Sequence, residues 1–242
     1  MGAPFEIKYG SVKICSLEEI FQITAEKISA VASGVTKTVG LTGGSTPKAF
    51  YEWAAETKPF SEEVLNKVLW YASDERMVPL DSEESNFGIA DRKMLTFLDV
   101  SEINKHPWIT TVDPQSSANV FNQRWLDNHG ANHGFDLCLL GMGDDGHTAS
   151  IFPGSTLLVS PIAALFACVE VPEKGWRLTI TREGFGQCAE ILITVTGAKK
   201  ASVLKEVLEG PDDVYPVQLL EAYASRVTWL VDEAAAAELN VE

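Results

Sequence analysis

Cationic side chains are in short supply here: nineteen Lys and Arg face thirty-four Asp and Glu in 242 residues, a formal net charge of −15. So acidic a chain repels phosphate backbones and anionic headgroups, and neither nucleic acid nor a membrane is expected as a partner. Long apolar runs are missing too. None approaches the roughly 18 residues of a membrane-spanning helix, and the opening stretch MGAPFEIKYG lacks the basic region and apolar segment of a secretory signal. Glu6 stands where N-myristoylation calls for Ser or Thr. A cytoplasmic location is the expectation.

Cysteine is sparse and scattered, at positions 15, 138, 168 and 188, with no C-x-x-C pair. Cys138, Cys168 and Cys188 lie in apolar surroundings and are expected as reduced core residues. No metal site is expected, and no G-x-S-x-G elbow marks a serine hydrolase.

What is present is a rhythm of strands, glycine loops and helices, with enough apolar material, 45% of residues, for a sizeable core. Ser16 and Glu19 form a capping box ahead of Leu17, Ile20, Phe21, Ile28 and Val31 at helical spacing, which predicts a helix ending near Gly34. Residues 35–42 then predict a strand, Gly43-Gly44-Ser45-Thr46 a loop, and Pro47 the first residue of a helix capped by Thr46. The pattern returns as a strand over 68–72 with a helix over about 87–98 begun by Ser85, and as a helix over about 117–128 stopped by Gly130. Further on come a strand over 190–196, a turn at Gly197, a helix over 198–208 closed by Gly210-Pro211, and a last strand over 227–231 before an alanine-rich helix. Such alternation predicts one α/β domain over 1–242, a mainly parallel sheet with helices on both faces and room for a small additional lobe.

The segment from Asp136 to Gly154, DLCLLGMGDDGHTASIFPG, carries the strongest functional signal. Its apolar start, residues 135–140, is too short for an ordinary helix and predicts a buried parallel strand. His147 therefore falls just beyond a strand's carboxyl end, where open α/β sheets bind ligands. Gly141, Gly143 and Gly146 satisfy the dinucleotide pattern G-x-G-x-x-G. Two features argue against a nucleotide: Asp144 and Asp145 would face a pyrophosphate, and Pro153-Gly154 leaves no full helix to receive it. Asp145, two residues before His147, can orient the imidazole or bias its tautomer, although a histidine bonded into a turn is the simpler alternative. The remaining histidines, 106, 129 and 133, sit in polar segments and are expected at the surface.

Two loops have the composition of phosphate sites. Gly43-Gly44-Ser45 frees backbone N–H groups at a helix start. In Gly197-Ala198-Lys199-Lys200, lysines in a first helical turn oppose the macrodipole unless an anion is bound there. Arg76, after Asp74 and Glu75, reaches the same sheet edge; either it makes a local salt bridge or the acids hold its fork toward a ligand. Arg177 is a further candidate anion contact.

The blocks GLTGGSTP (40–47), SDERMVPLDSEESN (73–86), FDLCLLGMGDDGHTASIFPG (135–154), WRLTI (176–180) and TGAKKA (196–201) together resemble the 6-phosphogluconolactonases, in that family's order and across most of the chain. The resemblance implies a modified Rossmann-like fold and hydrolysis of 6-phospho-D-glucono-1,5-lactone without metal or redox cofactor, the second step of the oxidative pentose phosphate pathway. It implies a sugar phosphate as the small-molecule partner, and a chain acting as a monomer or small homo-oligomer. By position it makes His147 catalytic with Asp145 beside it. Gly43, Gly44, Ser45, Arg76, Lys200 and Arg177 would hold the phosphate, with Asp74 and Asn86 in support. Asp144 stands where the family often has proline, Ala72-Ser73 where glycine is common, and Thr42 where serine is. The related glucosamine-6-phosphate deaminases expect a glutamate after the histidine, in N-G-H-I-A-F-N-E, where Phe152 stands here, and an aromatic residue in place of Arg76. A non-catalytic sugar-phosphate sensor would need a basic DNA-binding module that the segment before the first predicted strand does not supply.

Overall fold

The computed structural model describes residues 3–34, 36–160 and 162–240. Six parallel strands and one antiparallel edge strand make the main sheet, in the order β1-β2-β10-β9-β6-β3-β4, where β1 is Phe5–Ile7, β2 Gly10–Ile14, β3 Thr38–Leu41, β4 Leu69–Ala72, β6 Leu137–Gly141, β9 Glu190–Val195 and β10 Val227–Val231. Val39, Leu41, Leu137, Cys138, Leu139, Leu140, Ile191, Leu192 and Ile193 are all buried, which is why these strands read as unbroken apolar runs. A second sheet of three antiparallel strands, β5 (Asp74–Arg76), β8 (Gly175–Ile180) and β7 (Phe166–Val171) in that order, forms the smaller lobe.

The order of the main sheet fixes where a ligand can go. From β3 the chain proceeds outward to β4, whereas from β6 it proceeds the other way to β9 and β10. Right-handed crossovers running in opposite directions lie on opposite faces of a sheet, so a crevice opens beyond the carboxyl ends of the two strands at the reversal. Those strands are β3 and β6, and they are followed by the Gly43 loop and the His147 loop.

Most predicted boundaries fall within a residue or two of the structure. Helix α1, Leu17–Val31, starts at the Ser16–Glu19 capping box, and α5, Pro114–His129, stops at Gly130 as expected but starts earlier than the expected residue 117, at the Asp113 cap. The strand expected over 35–42 spans Thr38–Leu41; its expected first residue, Val35, lies outside the described residues. Asn86–Ala90 forms the short helix α4, begun by Ser85 as expected and continued by a π-helical turn over Asp91–Leu95.

Four expectations are corrected. Thr46 does not cap a helix at Pro47: α2 runs Ser45–Thr57 with Gly44 at its N-cap and no side-chain cap, because the Thr46 hydroxyl pairs with that of Thr196, 2.5 Å away across the crevice. The alanine-rich tail after β10 makes separate turns rather than a helix. It is only nine described residues long, and short helices are marginal; Asp232 accepts the Ala235 N–H there while also holding Gly197. His106 and His129 are half-buried, not surface residues: His106 stacks on Tyr71 at 4.7 Å between centroids, and the His129 Nε2 lies 2.9 Å from the Tyr71 hydroxyl. Both fill gaps in an aromatic cluster in which Trp108 and Phe121 stack at 3.7 Å and Phe166 meets Phe121 edge-on at 4.7 Å, joining α5 to the smaller sheet. Burial pushes both imidazoles below the usual histidine range. Finally, Cys138 and Cys188 are buried free thiols, whereas Cys168 is half-buried and its thiol faces Gln115.

Candidate active site

A cavity of about 360 Å³ occupies the crevice, and residues from five separate stretches of chain line it. The size suits a hexose phosphate. Of the residues expected from the sequence, Gly43, Gly44, Ser45, Asp74, Arg76, Asn86, His147, Arg177 and Lys200 all line it; Asp145 stands behind His147 instead.

Tight backbone turns present the imidazole. After β6 the Gly143 N–H donates to the His147 carbonyl at 2.8 Å, the Gly146 N–H to the Gly143 carbonyl at 3.1 Å, and the Thr148 hydroxyl to the Gly141 carbonyl at 3.0 Å. Gly146 has φ +69° and its α-carbon faces Tyr215, so a side chain there would be both strained and blocked. His147 Nδ1 lies 2.5 Å from Asp145 Oδ1, and the Asp145 carboxylate also accepts the His147 N–H. Partial burial works to push the Asp145 carboxyl up, but the hydrogen bond and charge of His147 outweigh it and hold it below its usual range. With Nδ1–H assigned to that bond, Nε2 is left as the imidazole's proton acceptor. The ring stacks on Phe152, at 4.1 Å between centroids and 23° between planes, and the Lys174 ammonium lies over the Phe152 ring.

Facing this imidazole is a concentration of positive charge. Arg76 and Arg177 are directly paired residues on β5 and β8. Like charges placed opposite each other in an antiparallel pair are destabilising, and burial together with Arg76 lowers the Arg177 guanidinium's affinity for its proton. The arrangement is suited to an anion between the two forks. Neither carboxylate next to Arg76 pairs with it. Its Nη1 donates to the Glu84 carbonyl at 2.6 Å, and Arg177 Nη1 donates to the Lys174 and Trp176 carbonyls. The expectation that Asp74 and Glu75 hold the Arg76 fork is thereby corrected. Glu75 is fully buried and turned the other way, where it accepts the N–H groups of Arg76, Asn86 and Phe87 and the Ser85 hydroxyl. Four donors satisfy the carboxylate and fix the start of α4, an assignment no local sequence pattern carries.

Lys200 ends a 3-10 turn, Ala198–Lys200, that leads into α8, Ala201–Glu209. Gly197, at φ +90°, is held by Asp232, and the Lys200 side chain reaches the cavity while Lys199 stays exposed. On the other side, the uncapped first turn of α2 offers its N–H groups behind Gly43 and Gly44.

Asp74 and Asn86 close the floor. Asp74 is 5% exposed, and its carboxylate accepts the Ser150 hydroxyl at 2.8 Å and the Thr42 hydroxyl at 3.5 Å. Burial raises its carboxyl above the usual range, against the pull of Ser150 and of the nearby Arg76, His147 and Arg177. The Asn86 amide donates to the Asp74 carbonyl at 3.0 Å, while its Oδ1, buried and without a partner, lies 1.9 Å from where a Cβ on Gly43 would be. Gly43 is therefore obligatory, and Asn86 Oδ1 is a ready acceptor for a ligand hydroxyl. Sequence reasoning missed Ser150, Lys174 and the stacking role of Phe152: Ser150 meets Asp74 and Lys174 meets Phe152 from stretches distant in the chain, whereas Phe152 stacks on His147 within one loop. Among the described residues, no group of three His, Cys, Asp or Glu side chains is placed to hold a metal ion, and no helix is long and apolar enough to cross a membrane.

The chain is similar to proteins that are already known. A 6-phosphogluconolactonase from Synechocystis is 32% identical over 225 residues, covering 90% of this chain and 91% of the relative, and one from Haemophilus influenzae is 34% identical over 202 residues, covering 81% and 85%. Among solved structures, 6-phosphogluconolactonase from Trypanosoma cruzi superposes with a TM-score of 0.82 at 26% identity, covering 99% of this chain and all of that one. Residues 17–229 match the family described as glucosamine-6-phosphate isomerases/6-phosphogluconolactonase, and the chain belongs to that family.

Proposed function

We propose that the chain hydrolyses 6-phospho-D-glucono-1,5-lactone to 6-phosphogluconate, in the oxidative pentose phosphate pathway, with His147 as general base. The observation that carries this is the Asp145–His147 pair facing, across one cavity, the Arg76, Arg177 and Lys200 cations. The cations and the Gly43–Ser45 loop hold the phosphate, which brings the lactone C1 to rest at the imidazole. A water molecule gives its proton to Nε2 as its oxygen bonds to C1. The tetrahedral intermediate then expels the ring oxygen, breaking the C1–O5 bond, and the imidazolium returns the proton to that oxygen. Asp145 stabilises the imidazolium between the two steps. Phe152 speaks against the deaminase alternative: where that chemistry uses a glutamate, this chain stacks an apolar ring on the histidine.

The reading has residues 1–242 working as one unit in the cytoplasm, as a monomer or small homo-oligomer. Its single working unit is supported by the site's use of both sheets and by the relatives' coverage of most of the chain. The decisive measurement is acid release from freshly generated 6-phosphogluconolactone against its spontaneous hydrolysis, with ammonia release from glucosamine 6-phosphate followed in parallel. Acceleration of the first without the second is expected; the reverse overturns the proposal. Arg76→Ala is expected to raise KM for the phosphorylated lactone about tenfold, the loss of one charge-assisted contact. Its effect on unphosphorylated glucono-1,5-lactone should be small. An equal loss on both lactones would remove Arg76 from phosphate binding.

A further inference from the structure

The cations of the site differ in what already holds them. Arg76 and Arg177 rest on main-chain carbonyls, which position the guanidinium and leave its charge uncompensated. Lys200 is different. Its ammonium lies 2.5 Å from Asp144 Oδ1, with the lysine side chain 23% exposed and the aspartate 74% exposed. Lys200 lines the cavity, whereas Asp144 is exposed on the turn that leads to His147. The pair thus joins the loop that carries the imidazole to the loop that offers the cation.

Resting on the sugar-phosphate reading above, we propose that Asp144 is an affinity-setting residue: its carboxylate serves Lys200 as a built-in anion, and a phosphate group binds Lys200 by displacing it. The charges decide the exchange. A phosphate dianion brings three acceptor oxygens and roughly twice the charge of a carboxylate, and it meets Arg76 and Arg177 in the same place. Asp144 is mostly in water already, so its release needs little reorganisation. It remains ionised when displaced, as a carboxylate standing mostly in water does at neutral pH. A full negative charge is then left close to the bound phosphate. Asp144 therefore weakens the binding of every phosphorylated ligand, product included, and speeds product departure.

The test is isothermal calorimetry of wild type and Asp144→Asn with inorganic phosphate and with 6-phosphogluconate, together with KM and kcat for the lactone. Asp144→Asn should tighten both ligands and lower KM by about two- to fivefold, the range set by one exposed ion pair, with kcat moving less. Asp144→Glu, which keeps the charge on a longer stem, should return affinity toward wild type. In a Lys200→Ala background the Asp144→Asn change should lose most of its effect, because the partner it releases is gone. Unchanged affinity in Asp144→Asn would make the pair an idle surface contact and overturn the proposal. Weaker affinity would also overturn it, by showing that Asp144 chiefly holds Lys200 in place for the phosphate. If wild type binds phosphate and product but Asp144→Asn does not tighten them, this inference alone fails; if wild type binds neither, the sugar-phosphate reading fails and takes the inference with it. A thermal melt of each variant checks folding.

Discussion

His147→Ala should lower kcat by about 10² to 10⁴, the usual worth of a positioned general base, while 6-phosphogluconate binds nearly as tightly as to wild type. The split follows from the layout of the cavity. The groups proposed to hold phosphate belong to the loops after β3 and β9 and to the β5–β8 pair, and none of them is hydrogen-bonded to the imidazole. Removing the imidazole takes away a proton acceptor that matters most when the water is being deprotonated. It leaves the ground-state contacts with the phosphate in place, so KM and product affinity should move little. His147→Asn belongs beside it, because an amide fills part of the space yet cannot take the proton; it should be about as inactive as alanine. The measurement is steady-state acid release corrected for spontaneous hydrolysis, with product affinity by calorimetry. Near-normal turnover in either variant would remove His147 from the chemistry. Equal losses in kcat and in product binding would instead make it a binding residue.

The main sheet was largely legible because its strands are buried on both faces and therefore appear as short apolar runs such as LCLLG. The loops that follow them carry their glycines where close approach demands them, at Gly43 against Asn86 and at Gly143 against His147. Placing His147 at the sheet edge needed only local information: strand, glycine turn, then histidine with an aspartate two residues before it. Less legible were the features made by pairing across long sequence separations. That Arg76 and Arg177 face each other depends on the register of β5 against β8. The Asp144–Lys200 contact likewise depends on how separate loops meet. The errors have the same origin. Thr46 has a capping residue's composition, but its hydroxyl finds a better partner in Thr196 across the crevice. Glu75 looks like a counter-ion for Arg76, but it lies next to four donors at the start of α4. Local propensity proposes a partner, and tertiary proximity overrules it when a closer donor or acceptor exists.

Gly143→Ala is expected to be the most damaging substitution outside the ionisable groups, lowering kcat about 10²-fold. A Cβ at this position would lie 2.0 Å from His147 Nδ1, 2.2 Å from its Cε1 and 2.7 Å from Asp145 Oδ1. Two of these atoms form the bond that orients the imidazole. Phe152, stacked on the ring, restricts its retreat. It must therefore rotate away from Asp145, which abolishes the tautomer preference and carries Nε2 off the line to the lactone carbonyl. Displacements of about 1 Å at a reacting group are enough for a loss of this size. The strain on the folded state should be about 1 to 3 kcal/mol, the usual range for an inserted methyl group, so a thermal melt should still show a folded protein. Combining the substitution with His147→Ala separates steric displacement from general damage. If the methyl acts by moving the imidazole, the double variant should be no slower than His147→Ala alone, since residues acting as a unit are not additive. A further loss of tenfold or more in the double variant would show that Gly143 serves some other part of the site. Wild-type turnover in Gly143→Ala would mean that the Asp145–His147 geometry does not limit the reaction.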